Sequence, residues 1–281
     1  MQIVTSKDLL RGALSKYRGS HQTVVFVPTM GALHEGHRTL MAKARQIAGE
    51  DGVVVASIFV NPIQFDNPSD LSSYPRTMEQ DLAICANEGV NYVFTPSAQD
   101  MYADQRSIII DETSLSGKLC GASRPGHFAG VCTVVAKLFN LVQPTDAVFG
   151  KKDYQQLAII RRMVRDLDFP IRIHGAEIVR HEDGLAYSSR NVRLSEENRA
   201  AAPVLYQTLL EAKQQFAEGK SLDEIKQIAE SKIMDSGATK IDYLEIVNRE
   251  TMQEPQSKEE PLLMALAVFY GDVRLIDNIE L

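Results

Sequence analysis

Thr23-Val-Val-Phe-Val-Pro-Thr-Met-Gly-Ala-Leu-His-Glu-Gly-His37 is the stretch on which the fold turns. Residues 23–27 are apolar or β-branched without alternation, the pattern of a strand buried on both faces. Pro28 reads as the end of that strand, and Gly31 lets the chain turn and approach a ligand closely. Residues 38–48 then place Leu40, Met41, Ala44, Ile47 and Ala48 at helical spacing. Strand, glycine turn and helix open a β-α-β unit, whose ligand crevice lies beyond the carboxyl ends of the strands. His34 and His37 stand three residues apart at the helix start and share a face. Exposed N–H groups and the positive dipole end make that point a natural anion site. Two imidazoles there can hydrogen-bond a phosphate and follow its charge into a transition state. Zinc is not indicated, because H-E-G-H lacks the spacing of H-E-x-x-H.

Working outward, strands are predicted over residues 53–60, 90–94, 107–111, 146–149 and 171–174, and helices over 77–87, 131–142 and 154–167. Repeated β-α-β with continuous apolar strands implies a parallel sheet covered by helices on both faces, in an N-terminal domain of residues 1–177. The pattern then changes. Helices are expected over 195–219 and 221–236, and strands over 241–247, 262–270 and 274–279. Residues 249–261 read as a polar surface loop. Ser221 and Glu224 form a capping box. Residues 178–281 are thus a smaller α+β domain.

The chain has 281 residues, 44% hydrophobic and 24% charged, as in ordinary globular proteins. The formal net charge of −7 argues against a general nucleic-acid binder. Residues 1–177 hold 18 Lys+Arg against 18 Asp+Glu, and residues 178–281 hold 12 against 19. The acidity belongs to the second domain, and the first is neutral. No apolar run approaches the roughly 18–20 residues that span a bilayer. Residues 1–20 carry no apolar core of a signal peptide. Cys85, Cys120 and Cys132 have no metal-like spacing and are expected to be small core residues in a reducing cytoplasm. Cys85 lies on a helix pattern and Ser188-Ser189 has no evident base, so no covalent nucleophile stands out.

Four further strings carry polar chemistry. In Phe59-Val-Asn-Pro-Ile-Gln-Phe65, Asn61 and Gln64 follow the second strand, and their amides suit a hydroxy acid. Arg124-Pro-Gly-His-Phe-Ala-Gly130 puts a cation, two glycines and His127 before a helix, which fits an anion site or a structural loop equally well. In Phe149-Gly-Lys-Lys-Asp-Tyr-Gln-Gln156, a strand runs into Gly150. Lys152 can neutralise a phosphate there, Asp153 can cap the helix or hold ribose or a cation, and Gln156 can reach inward. In Asp183-Gly-Leu-Ala-Tyr-Ser-Ser-Arg-Asn191, Asp-Gly makes the turn. Ser188, Ser189 and Arg190 then offer two hydroxyls and a forked cation for β- and γ-phosphates. Asp81, early in the helix after Tyr74-Pro-Arg-Thr77, has a capping or dipole role open to it.

H-x-G-H after the first strand resembles the signature of the HIGH-type nucleotidyltransferase superfamily, which includes the class I aminoacyl-tRNA synthetase cores. The longer string from Pro28 to His37 resembles the narrower pantoate–β-alanine ligase (pantothenate synthetase) family. The other strings follow in order through Asn191, and the resemblance is weaker beyond. It implies a Rossmann-like α/β domain that binds ATP and pantoate, with the second domain as a lid. It also implies condensation of (R)-pantoate with β-alanine through a pantoyl adenylate, releasing pyrophosphate and AMP. It assigns Met30, Gly31, His34, His37, Gly150, Lys151, Lys152, Asp153, Val179, Tyr187, Ser188, Ser189 and Arg190 to ATP. Gln64 and Gln156, with Asn61, Arg124 and His127, go to pantoate and β-alanine. Catalysis falls to His34, His37 and Lys152, and Asp81 lies near a magnesium ion. Residues 66–74 and 188–191 are the expected mobile loops, and a homodimer through the first domain is implied. Three positions depart from the family's pattern: Lys151 for Glu or Gln, Tyr187 for Met, and Gln80 beside Asp81.

Three alternatives share some of these features. A nucleotide–coenzyme adenylyltransferase would keep H-x-G-H but has no need of both Gln64 and Gln156. A class I tRNA synthetase would need a basic anticodon-binding surface. A non-catalytic binder would hold ATP without releasing AMP.

Overall fold

Six parallel strands form the larger sheet: β1 (Gln2–Val4), β2 (Val24–Thr29), β3 (Val53–Ile58), β4 (Tyr92–Phe94), β5 (Asp146–Gly150) and β6 (Arg172–Ala176). Their spatial order is β1-β4-β3-β2-β5-β6. Three antiparallel strands, β7 (Lys240–Asn248), β8 (Leu262–Tyr270) and β9 (Val273–Glu280), form the smaller sheet with β8 in the middle. The structure, a computed structural model, describes residues 1–17, 22–102 and 106–281. The last three residues of the 1–20 segment read for a signal peptide lie outside the described residues.

The chain divides into two compact units. One comprises Met1–Glu112, Arg124–Lys151 and Ile159–Glu177; the other comprises Thr113–Ser123, Lys152–Ala158 and Ile178–Leu281. In the first, successive residues of β2 face opposite layers. Val25 and Val27, with Val54 and Ala56, pack on Met41, Ala44 and Ala48 of helix Glu35–Ala48 and on Cys85. Phe26 points the other way, edge-on to Phe139 of helix His127–Val142. Strands covered on both faces need no polar alternation, so they read as unbroken apolar runs. In the second unit, Leu205, Leu209, Ile225 and Ile233 come from helices Val204–Ala217 and Leu222–Asp235. They pack on Leu244, Leu266 and Tyr270 of the small sheet. Burying such side chains contributes about 1.5–3 kcal/mol each.

Several boundaries differ from the sequence reading. β2 runs through Pro28 to Thr29. Thr29 O faces β3, where it accepts Phe59 N–H, so Pro28 faces β5, and that ladder has already ended at Phe26 and Ala147. The missing N–H of Pro28 therefore breaks no bond. The strand expected over 107–111 is absent: among the described residues that segment has no regular structure and pairs with no strand. The helix expected from 131 starts at His127 behind Gly126, whose φ is +78°, so the histidine of the Arg124–Gly130 string sits on the helix, not in the loop before it. The helix expected over 195–219 is two, Glu196–Ala201 and Val204–Ala217, parted at Pro203, which has no N–H to continue the ladder. β1 and helix Lys7–Leu14 were not anticipated. Ser221 and Glu224 do form a reciprocal capping box, and residues 249–261 lack regular structure.

Cys85 and Cys132 are buried, and burial pushes both thiols up to about 12. Cys120 is half-buried, its sulfur 3.2 Å from the Tyr243 hydroxyl, and departs from the expected core position. All three thiols are free. Among the described residues no helix is long and apolar enough to cross a membrane.

At the amino edge of the large sheet, Asp146 is fully buried. Arg172 donates to both its oxygens at 2.8 and 2.9 Å, and His174 Nε2 lies 2.7 Å from one of them. Burial alone would raise this carboxyl, but hydrogen bonds from Arg172, His174 and Thr145 outweigh it and bring it below the ordinary range. A carboxylate held low in the folded state stabilises above its unfolded value, and that stability disappears as pH falls through the folded value. Acidification from about pH 4 downward is thus expected to lower the urea midpoint more steeply in the wild type than in Asp146→Asn. Equal slopes would remove Asp146 from acid unfolding.

Candidate active site

β3 and β4 lie to one side of β2, and β5 and β6 to the other, so the topological switch point falls between β2 and β5. The crevice at such a point opens beyond the strands' carboxyl ends. Here it is flanked by Met30-Gly-Ala-Leu33 after β2 and by Gly150 at the end of β5.

The turn after β2 is held by Asp81, which is 1% exposed. Its carboxylate accepts the N–H of Ala32 at 3.0 Å and of Leu33 at 2.8 Å, and the Thr77 hydroxyl at 3.0 Å. Gly31 has φ +83°, and a Cβ there would stand 2.9 Å from Asp81 Oδ2. Only glycine fits both the left-handed backbone and the incoming carboxylate. The turn delivers His34 to the N-cap of helix Glu35–Ala48. His34 Nδ1 accepts Gly36 N–H at 3.2 Å, and His37 Nδ1 accepts His34 N–H at 3.3 Å, a capping box built from two imidazoles. Because each Nδ1 accepts, each ring carries its proton on Nε2 and is a donor there. The ring centroids are 4.1 Å apart.

The turn Pro62–Gln64 follows β3, and Asn61 and Gln64 are both buried on it. Asn61 Nδ2 donates to Gln64 Oε1 at 2.9 Å, and Gln64 Nε2 reaches Met30 Sδ at 3.2 Å. Helix His127–Val142 presses on this turn. A Cβ at Gly130 would stand 2.5 Å from Ile63 O and 2.7 Å from Gln64 Cα, so only glycine lets the helix come this close. His127 Nδ1 lies 2.8 Å from Gln64 O, and Arg124 NH1 lies 3.2 Å from His127 Nε2. Arginine only donates, so Nε2 accepts and Nδ1–H donates to the carbonyl. Arg124 also pairs with Asp66 at 3.2 Å. Both ring nitrogens of His127 are thus taken by protein groups that fix the Gln64 backbone. Tyr102 donates to Asn61 Oδ1 at 2.7 Å. No sequence signal marks Tyr102, which is 41 residues away from Asn61 and in no motif.

Lys151 pairs with Glu177 at 2.7 Å, from the end of β5 to just past β6. Of the remaining expected residues, Lys152 and Asp153 lie on a short 3-10 turn, Lys152 half-buried and Asp153 exposed. Gln156 is half-buried in the first turn of helix Tyr154–Asp166. In the second unit, Tyr187 N–H donates to Val179 O at 3.0 Å, and the Tyr187 ring stacks on His181 at 3.7 Å. Arg190 N–H donates to the Ser188 hydroxyl at 3.2 Å, and Asn191 Nδ2 to Ala186 O at 3.0 Å. Ser188, Ser189 and Arg190 therefore follow a bonded hairpin on a tethered turn.

A magnesium ligand needs a carboxylate oxygen with room for the ion. Both oxygens of Asp81 are turned to N–H and O–H donors, and among the described residues no three His, Cys, Asp or Glu group to hold a metal. Asp81 does not fit as a magnesium ligand. Asp81→Asn keeps the shape but turns an NH2 toward an N–H. It is expected to lower stability by about 1–3 kcal/mol in urea unfolding and to depress turnover, with no recovery on adding magnesium. Recovery by magnesium would make Asp81 a metal ligand.

The model of the pantoate–β-alanine ligase family matches residues 2–280. A pantothenate synthetase of Akkermansia muciniphila is 63% identical over 281 residues, covering 100% of both chains. The crystal structure of pantothenate synthetase from Thermus thermophilus superposes with a TM-score of 0.92 at 44% identity, over 100% of this chain and 99% of that one. A pantoate–β-alanine ligase of Francisella tularensis, solved in complex with β-γ ATP and β-alanine, gives 0.81 at 34% identity, over 100% and 97%. With the family matched from end to end and the glycine turn, histidine pair and paired amides at the switch point, the chain belongs to the pantoate–β-alanine ligase family.

Proposed function

We propose that this chain uses ATP to join pantoate to β-alanine in two steps. The observation that carries the reading is the pairing, at one carboxyl edge, of two Nε2–H imidazoles at a helix N-terminus with a buried, oriented Gln64. In the first step a carboxylate oxygen of pantoate attacks the α-phosphorus of ATP, and the bond to the β-phosphate breaks with release of pyrophosphate. In the second the amine of β-alanine attacks the acyl carbon of the adenylate. The C–O bond breaks, AMP leaves and the nitrogen loses a proton. Neither step needs a covalent nucleophile, and both need positioning and stabilised charge.

In this reading His34 and His37 donate to phosphate oxygens beside the N–H groups of the first helical turn. Met30, Gly31 and Gly150 shape the nucleotide's bed, and Lys151, Lys152 and Asp153 follow it. Val179 and Tyr187 serve the base, and Ser188, Ser189 and Arg190 the outer phosphates. Gln64 and Gln156 hold pantoate, with Asn61, Arg124 and His127 supporting that side. Magnesium belongs to the nucleotide substrate, as a hard cation that keeps water and takes phosphate oxygens; no step is assigned to it. Residues 178–281 act as the lid that keeps water from the adenylate, and residues 66–74 and 188–191 are the mobile segments of the reaction cycle. The three free cysteines support a cytoplasmic location.

AMP release from ATP is expected to require pantoate and β-alanine together, and release indifferent to pantoate would remove the reading. His37→Ala is expected to cut turnover about 10²–10³-fold with the thermal midpoint nearly unchanged; near wild-type turnover would take His37 out of the chemistry.

We also propose a homodimer through the first unit. Ile108 and Ile109 are 72% and 61% exposed, next to each other in sequence on the segment that Thr133 holds through Ile110. A second copy laid along this segment covers both. Light scattering is expected to give a dimer for the wild type and a monomer for the Ile108→Asp, Ile109→Asp double variant. A wild-type monomer would sink the proposal.

A further inference from the structure

The amide of Gln64 can meet a substrate with its oxygen or its nitrogen, and the two select opposite partners. Groups elsewhere in the first unit make the choice. The carbonyl oxygen of Gly130 can only accept, so the Asn61 atom facing it at 3.3 Å is Nδ2. Asn61 Oδ1 therefore faces the Tyr102 hydroxyl at 2.7 Å, and that hydroxyl has to donate. Burial pushes the Tyr102 phenol up, which keeps its proton in place. The second proton of Asn61 Nδ2 goes to the Gln64 side chain at 2.9 Å, and the atom that receives it is Oε1. Gln64 is left presenting Nε2, one of whose protons points to the weakly accepting Met30 sulfur at 3.2 Å.

Both ends of this chain are anchored. Gly130 O is fixed because its helix lies against Ile63 and Gln64 with no Cβ between, and the Tyr102 ring is held beside Phe59, with centroids 6.2 Å apart. Flipping Asn61 would set its oxygen against Gly130 O, and flipping Gln64 would set two NH2 groups face to face. Each loses hydrogen bonds inside a buried site.

We propose that Tyr102 is a positioning residue for the ligase reaction: through Asn61 it holds Gln64 as an N–H donor, so that the site takes an oxygen acceptor of the hydroxy acid and rejects a donor in its place. The proposal rests on the reaction assigned above and adds a residue to it. Tyr102 touches no reacting atom in this scheme; it acts by fixing which face of Gln64 is offered.

Tyr102→Phe removes the hydroxyl and keeps the ring, and Tyr102→Leu removes both. With AMP release as the readout, Tyr102→Phe is expected to raise KM for pantoate about tenfold. KM for ATP should stay at the wild-type value, and the thermal midpoint should fall, because the buried Asn61 Oδ1 loses its donor. Tyr102→Leu should lower the midpoint further. If Tyr102→Phe leaves KM for pantoate at the wild-type value, or raises both KM values together, the hydroxyl has no orienting role and the relay is overturned. Wild-type AMP release that ignores pantoate overturns the parent reaction, and the acceptor assigned to Gln64 with it. Pantoate-dependent release with an unmoved Tyr102→Phe variant overturns the relay alone.

Discussion

Asp81 draws in the N–H groups of Ala32 and Leu33, and the geometry of the turn after β2 depends on those two bonds. Gly31 and Ala32 both have positive φ, at +83° and +50°. For alanine that conformation costs roughly 1–2 kcal/mol, so the turn does not form on local preference alone. The carboxylate offsets the cost by accepting two N–H groups that would otherwise be left unpaired. The N–H dipoles and the Thr77 hydroxyl also stabilise its charge, which burial alone would penalise. Released from the turn, the chain enters helix Glu35–Ala48 with His34 already at the cap. The placement of both imidazoles thus follows from a residue 44 positions after His37 in the chain.

That dependence explains which parts of the fold were legible in the sequence. The parallel sheet could be read because both of its faces are covered, which leaves unbroken apolar runs at β2, β3 and β5. The capping box of Ser221 and Glu224 could be read because it is closed within four residues. The errors have a common physical source. Pro28 stays in β2 because its neighbour strand has already parted from it, a fact of register and not of local chemistry. Residues 107–111 have strand composition but no strand beside them in the chain itself. His127 begins a helix because Gly126 takes a left-handed cap and Gly130 meets the Pro62–Gln64 turn, which no helical periodicity announces. In the site, the histidines, Asn61 and Gln64 were legible as polar residues beyond strand ends, and Gly31 as the turn residue between strand and helix. The partners that orient them, Asp81, Gly130 and Tyr102, come from other elements.

The neutrality of residues 1–177 does not come from an absence of charge, since 18 cations face 18 anions there. Several of these are committed to each other: Arg172 to Asp146, Arg124 to Asp66, and Lys151 to Glu177. Lys151, where the resemblance leads one to expect Glu or Gln, has its charge met by Glu177. What the start of helix Glu35–Ala48 offers an anion is dipolar: its N–H groups and the Nε2–H groups of two imidazoles. Such donors are already oriented and need little reorganisation when charge builds on an oxygen.

The two glycines that shape the site use one device. At Gly31 the missing side chain admits a carboxylate that fixes two backbone N–H groups; at Gly130 it admits a helix that brings one carbonyl to Asn61. In each case a polar group is set by a partner that can only accept, and its orientation passes to the residues facing the ligand. A reaction by direct displacement, with Cys85 and Cys132 held as inert thiols, forms no bond between substrate and protein to hold its reactants in place. Geometry has to supply what a nucleophile would otherwise supply. A larger residue at either glycine would leave the polar side chains of the site unchanged in identity while removing the contact that orients them, and so the geometry of this site rests as much on two absent side chains as on the residues present.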